Sequence, residues 1–266
     1  MKQQDSAGRA GDSPRRRQLR AFTLLELLTV ISIISMLMGL LLPALGSARQ
    51  TSRAAKCGSN QHQIGLAITQ FAGDFFDLLP REGISPWMDT PRIGAHIPWI
   101  EATRPYLLSG AKVDDLASPV YLDPAHPNPN HLVHYVVNGI GFEQSGSRIL
   151  ELGDRRGATP SSVFHRPSDT IYLTEFTDDR DNSIAKNVMV WDLKNAAGVY
   201  DVWNYAHIWG PDVGSNSYAG NVRRVGLDRH GTFNNVLFAD MHVGTMKREE
   251  IQDRKNWFDG TPLAKP

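Results

Sequence analysis

Three groups of residues in this chain have the types and spacing to do chemistry. His230 is followed after nine residues by Asp240 and then by His242. An imidazole with a carboxylate can form a catalytic pair, and a second imidazole makes the group a candidate metal site. The plainer reading, which the sequence favours, is local: His230 hydrogen-bonds near a turn and Asp240 shapes that turn through its own side chain. The second group is Asp178-Asp179-Arg180-Asp181-Asn182-Ser183. Calcium takes about six to eight oxygen ligands, and Asp178, Asp179 and Asp181 are candidates to supply them. A solvated acidic turn is the favoured alternative. The third is Glu26, the single charge in the apolar run from Ala21 to Leu42. A carboxylate inside a membrane costs about 2.5–3.5 kcal/mol on insertion scales, so it needs a partner or a task. His131 and His134 do not form a fourth group, because a strand turns them to opposite faces.

The element that carries Glu26 has membrane length. Its 22 residues span about 33 Å as a helix. Lys2, Arg9, Arg15, Arg16, Arg17 and Arg20 precede it against only Asp5 and Asp12. Positive charge on that flank keeps the N-terminus in the cytoplasm and sends the body outside. Three readings fit: a plain anchor, a secretory signal cut near Ala48 after Gly46-Ser47, and a leader cut between Ala21 and Phe22. The run is longer than a usual signal core and carries a carboxylate, which weighs against the second. Only the third gives Glu26 a partner. A new ammonium at Phe22 lies four residues away on the same helical face, and a neighbouring subunit could supply the same charge.

Past the membrane run, Ala44, Leu45, Ala48, Ala54, Ala55, Ile64, Ala67, Ile68 and Phe71 keep a broken 3–4 spacing, so one helix is expected from 22 to 72. Pro43 is one expected weak point. Gly58-Ser59-Asn60 is the other, as a bend or a new cap. Beyond Gly73, prolines crowd residues 80–130, interleaved with Trp87, Trp99, Tyr106 and Tyr121. That texture suits loops with short elements in a folded body. Strands are predicted at 131–138, 170–176 and 187–191, and a hairpin joins 233–239 to 242–246 around Asp240-Met241. The expected fold class is α+β: a long N-terminal stem helix packed on a mainly antiparallel sheet, with the body over 73–266.

Arg15 to Ala21, followed by Phe22-Thr23-Leu24-Leu25-Glu26, resembles the type IV prepilin cleavage and methylation motif and is similar to the pseudopilins of type II secretion. The resemblance implies a leader at 1–21, cleavage by a prepilin peptidase after Ala21, N-methylation of Phe22, and a role for Glu26 in assembly. That family favours Gly where this chain has Ala21. A proline near position 43 also fits it. Major pseudopilins use a calcium-stabilised loop, which the acidic stretch at 178–183 resembles. A second resemblance covers more of the chain. Cys57-Gly-Ser-Asn-Gln-His-Gln-Ile-Gly-Leu-Ala, Pro167-Ser-Asp-Thr-Ile-Tyr-Leu, and His230 with Asp240 at H-x9-D resemble a large bacterial family of pilin-like proteins of unknown role. Met241 stands where that family has Gly. In a backbone with φ > 0 a Met costs on the order of 1 kcal/mol, unless the turn adopts another type.

The formal net charge is zero, and no basic face concentrates on the body, so nucleic acid is not an expected partner. One cysteine, Cys57, excludes an internal disulfide. No nucleophile elbow, P-loop, zincin or dinucleotide motif occurs, and Glu175 near the 178–181 carboxylates gives no geometry for hydrolysis. The reading is therefore a structural subunit and not an enzyme. It would sit in the cytoplasmic membrane with its body periplasmic or extracellular. Its expected partners are prepilin peptidase, other pilin-like subunits, an inner-membrane assembly platform and membrane lipid. A membrane-tethered, adhesin-like binding protein using tryptophans such as Trp191, Trp203 and Trp209 is the alternative. An exported metal enzyme built on the histidines is the third reading. Mass spectrometry of the mature N-terminus separates the routes: N-methyl-Phe22 is expected, whereas Arg49 or a retained Met1 would overturn the prepilin reading.

Overall fold

Thr23-Leu24-Leu25-Glu26 starts the long helix. The computed structural model describes residues 23–81, 99–107, 118–127, 133–139, 159–177, 201–202, 206–209 and 223–257. Helix α1 runs over Leu24–Asp74, with Pro43 inside it. The chain divides into two compact units, Met1–Ser47 and Ala48–Pro266. In the first, the described side chains are exposed throughout, among them Leu24, Met36, Leu40 and Leu42. Its most apolar window has mean hydropathy 2.3 and is 0% buried. A helix that is apolar all round and buried against nothing in its own unit is built for another apolar phase.

In the second unit, α1 buries Ala54, Cys57, Asn60, Gln61, Ile64, Gly65, Ala67, Ile68, Phe71 and Ala72. These recur at helical spacing on one face. The expected interruption at Gly58-Ser59-Asn60 is absent, and packing explains why. Asn60 directs its amide to Pro119 O and Leu122 O, 3.3 and 2.8 Å away, and not to capping a new helix. A Cβ on Gly58 would meet Asn235 and Val243 at ordinary contact distance. Gly65 is tighter. A Cβ there would lie 3.0 Å from Leu237 Cδ1 and 3.3 Å from Met241 O, so the glycine sets how close helix and sheet come.

That sheet has five strands in the order β5-β2-β4-β6-β7: β2 at Tyr135–Asn138, β4 at Ile171–Glu175, β5 at Asp201–Val202, β6 at Asn234–Phe238 and β7 at Val243–Met246. β2, β4, β6 and β7 pair antiparallel, and β5 joins β2 in parallel at one edge. A two-residue strand β1, Leu78–Leu79, pairs separately with β3, Thr159–Pro160. Short helices lie at Trp99–Leu107 (α2), Ala206–Trp209 (α3) and Arg248–Ile251 (α4). The fold is the expected α+β arrangement, and the strands expected at 131–138, 170–176 and 233–246 are present in shortened form. The one expected at 187–191 lies outside the described residues.

β2, β4 and β6 are buried along their whole length. Directly paired residues in an antiparallel ladder point to the same face. Tyr135 pairs with Glu175, and Val137 and Leu237 each pair with Leu173. This register brings one carboxylate, Glu175, to the helix-covered face beside Tyr135. The hairpin turns at Asp240-Met241 as expected, and Met241 keeps the left-handed backbone with φ 68°. The turn has not changed type to suit Met. It is held from outside, because Ala239 N donates to Thr170 O and Asp240 N to Pro167 O, and Met241 packs on the core. Gly65→Val should destabilise the body by about 1–3 kcal/mol through overpacking against Leu237 and the Met241 carbonyl, read by chemical denaturation; an unchanged midpoint would show that the close approach is dispensable.

Candidate functional site

The residues singled out from sequence separate into three places. Ala21, Phe22, Asp178, Asp179 and Asp181 lie outside the described residues. Glu26 opens the stem helix. His230 and Asp240 belong to the body and take different partners.

At the stem, Glu26 Oε2 accepts from Thr23 N at 2.9 Å and Thr23 Oγ1 at 3.0 Å, while Glu26 N donates to Thr23 Oγ1 at 3.2 Å. This is a reciprocal capping box, with Thr23 at the cap and Glu26 at the third helical position. The T-x-x-E spacing was the signal for it. It satisfies amide groups that have no intrahelical partner at a helix start. Glu26 therefore caps its own helix.

In the body, the H-x9-D spacing does not bring His230 to Asp240. Asp240 Oδ1 accepts from His242 N at 3.2 Å and pairs with His242 Nδ1 at 2.6 Å on the exposed hairpin. Phe238 stacks on the His242 ring. This is the turn-shaping role expected of Asp240. His230 instead places Nε2 2.9 Å from Glu175 Oε1, with both side chains fully buried. The loop that holds His230 needs its glycine, because Gly231 has φ 99°, a backbone conformation that L side chains rarely adopt. His230 N also donates to Phe233 O.

Four elements converge on this point. α1 supplies Cys57, whose Sγ lies 3.2 Å from Glu175 Oε1. β4 supplies Glu175, and β6 adds Asn235 N, which donates to the same Oε1 at 3.0 Å. The loop after Pro119–Tyr121 supplies Asp123, and Asn60 of α1 pins that loop through its two carbonyl contacts. Asp123 N donates to His134 Nδ1 at 3.0 Å, and Oδ1 caps Ala125 N at 2.8 Å. Its other oxygen lies 3.3 Å from Arg229 Nε in a buried ion pair. Arg229 also donates to Phe176 O. One donor atom from each of Cys57, Asp123, Glu175 and His230 lies within 4.8 Å of the others.

The electrostatics follow from burial. Loss of water, with the Glu175 charge close by, pushes the Asp123 carboxyl up to about 6 despite Arg229. The same two causes, with Asp123 added, push the Cys57 thiol well up. Burial also raises the Tyr135 phenol, which donates to Cys57 Sγ at 3.5 Å. These shifts oppose negative charge, as expected where two carboxylates share a dry site.

Cys57, Asp123 and Glu175 were not singled out for this site from sequence. A charge inside the apolar strand Ile171–Glu175 was a signal for Glu175, and helical spacing from Ala54 to Gln61 marks Cys57 as buried. Nothing local points to Asp123. Of the tryptophans, Trp99 and Trp257 are core residues, whereas Trp191 and Trp203 lie outside the described residues.

An apolar stem opened by a capped, glutamate-bearing turn, with its continuation packed on an antiparallel sheet, defines a pilin-like class of protein. Residues 16–42 match the model described as "Prokaryotic N-terminal methylation motif". That motif signals prepilin-type processing by a peptidase and a pilin-like fibre subunit that assembles with others, and its helix fits a single-pass membrane anchor. Residues 46–259 match the family described as "Protein of unknown function (DUF1559)", and the chain belongs to that family. No curated protein and no solved structure matches the chain.

The division of partners has a measurable consequence. His230→Ala leaves the Glu175 carboxylate buried beside a lost partner and should cost about 3 kcal/mol or more. Asp240→Ala removes an exposed turn bond and should cost about 1 kcal/mol or less. Urea denaturation of both variants compares them, and equal losses would contradict separate roles.

Proposed function

We propose that this chain is a non-enzymatic, pseudopilin-like subunit of a type II secretion-like or type IV pilus-like fibre. A prepilin peptidase would cut after Ala21 and methylate Phe22. The observation that carries the reading is the union of the matched methylation motif with a stem whose apolar side chains are exposed from Leu24 to Leu45. Such a surface is stable in lipid, or against the same surface of other subunits, where close apolar packing replaces lipid contacts. An inner-membrane assembly platform and membrane lipid are the remaining partners in this reading, and nucleic acid is not among them. The body would face the periplasm or the exterior.

Glu26 would offset the N-terminal charge of a neighbouring subunit as the stem leaves the bilayer. Its capping bonds to Thr23 raise a competing account, in which it only orders the first turn. Two substitutions divide the accounts. Glu26→Gln can keep a capping box because glutamine serves at that position, but it removes the charge. Glu26→Ala removes both. Both variants should remain in the membrane, and both should be missing from sheared fibres. If Glu26→Gln assembles like the wild type while Glu26→Ala does not, the charge-pairing role is refuted and the cap is sufficient.

A further inference from the structure

We propose that Cys57, Asp123, Glu175 and His230 form a closed, structural site for a zinc-like divalent ion in the core of the body. The fibre reading is neither needed for this nor affected by its failure.

The donor set is the first argument. A thiol, an imidazole and two carboxylates are ligands that borderline-soft cations of the zinc class accept, whereas calcium and magnesium sites are built from oxygen. Geometry is the second. Four donors bonded to a tetrahedral zinc at about 2.0–2.3 Å stand about 3.3–3.8 Å from one another. Here the four donor atoms lie within 4.8 Å of one another, with Cys57 Sγ at 3.2 Å and His230 Nε2 at 2.9 Å from Glu175 Oε1. Sub-ångström movements of side chains would admit the ion. Burial is the third. Cys57 and Glu175 have no exposed surface, and Asp123 and His230 are 2% and 3% exposed. A site with no opening to water holds an ion structurally and leaves no position for substrate.

An unmet polar atom points the same way. Glu175 Oε1 accepts from Cys57, His230 and Asn235, yet Glu175 Oε2, equally buried, has no hydrogen-bond partner among the described residues, and neither has His230 Nδ1. A buried acceptor without a partner costs about 1–3 kcal/mol, more for a charged group. Charge balance completes the case. Among the described residues, Arg229 is the cation placed against these two carboxylates. A dication bound with the thiolate of Cys57 brings the cluster to neutrality. A hydrogen-bonded cluster without a metal is the rival that the experiment separates.

The full-length protein in detergent, produced with zinc supplied, should contain about one zinc per chain by elemental analysis. Produced with Co2+ instead, it should show a near-ultraviolet thiolate-to-cobalt absorption band. Cys57→Ser should abolish the band. Asp240→Asn, at the exposed hairpin pair, should leave metal content and band unchanged. Folded wild-type protein with strongly substoichiometric zinc and no cobalt band overturns the site, as does a folded Cys57→Ser variant that keeps the band or an Asp240→Asn variant that loses the metal. The wild-type stoichiometry and band decide the matter alone if Cys57→Ser does not fold.

Discussion

Glu175 is a carboxylate at the end of a strand that is buried on both sides. A carboxylate cannot stay in such a place unless it is surrounded by donors or counter-charge. Much of the body's architecture can be read as the answer to that demand. The stem helix must come close enough for Cys57 to reach it, β6 must present Asn235 N, and the loop before that strand must fold back to deliver His230. Asp123 and Arg229 then pair beside it, because a second buried carboxylate near the first needs its own cation. The apolar packing of Leu173, Leu237, Ile64 and Ile68 supplies the bulk of the driving force. The polar centre specifies which surfaces of helix and sheet meet.

The stem behaves differently in its two units. In the first, every described side chain is exposed. In the second, the same helix has one buried face with polar members, Asn60 and Gln61, that donate to the backbone of a loop and of β6. Gly58 and Gly65 lie on this stretch. Gly58 looks like a helix breaker in the sequence, but both glycines lie where helix and sheet come close. A helix interior loses about 0.5–1 kcal/mol per glycine relative to alanine, and the close packing of Gly65 against Leu237 offsets that loss.

The fold was legible in the sequence wherever the signal was local and periodic. The membrane-length run, the 3–4 spacing after it, the strand at 170–176 and the hairpin about Asp240-Met241 all follow from patterns a few residues long, and all are present. The polar centre was largely illegible because its members come from distant parts of the chain. Cys57 and Glu175 are 118 positions apart, and no local spacing joins them. The H-x9-D spacing misled when read as a pair, since its histidine turns inward to Glu175 and its aspartate outward to His242. A hydrogen-bond partner is chosen by sheet register, and register becomes visible only when strand order is known. The capping role of Glu26 was legible in T-x-x-E but was masked by the stronger anomaly of a charge in an apolar run.

The reach of Asn235 back to the stem also has a consequence in time. Its side chain donates to Ala54 O across 181 positions, and Gln61 donates back to Asn235 O. A chain emerging N-terminus first must therefore hold the Ala54, Gln61 and Gly65 part of its helix face without its β6 partner until the final hairpin has been made. Contacts of such long range form late and slowly. A truncated copy that lacks the hairpin would leave Ala54, Gln61 and Gly65 without the contacts β6 and Met241 make to them, and so would display its incompleteness to any protease that inspects exposed apolar surface. The last two strands thus act as a seal of completion on the first helix.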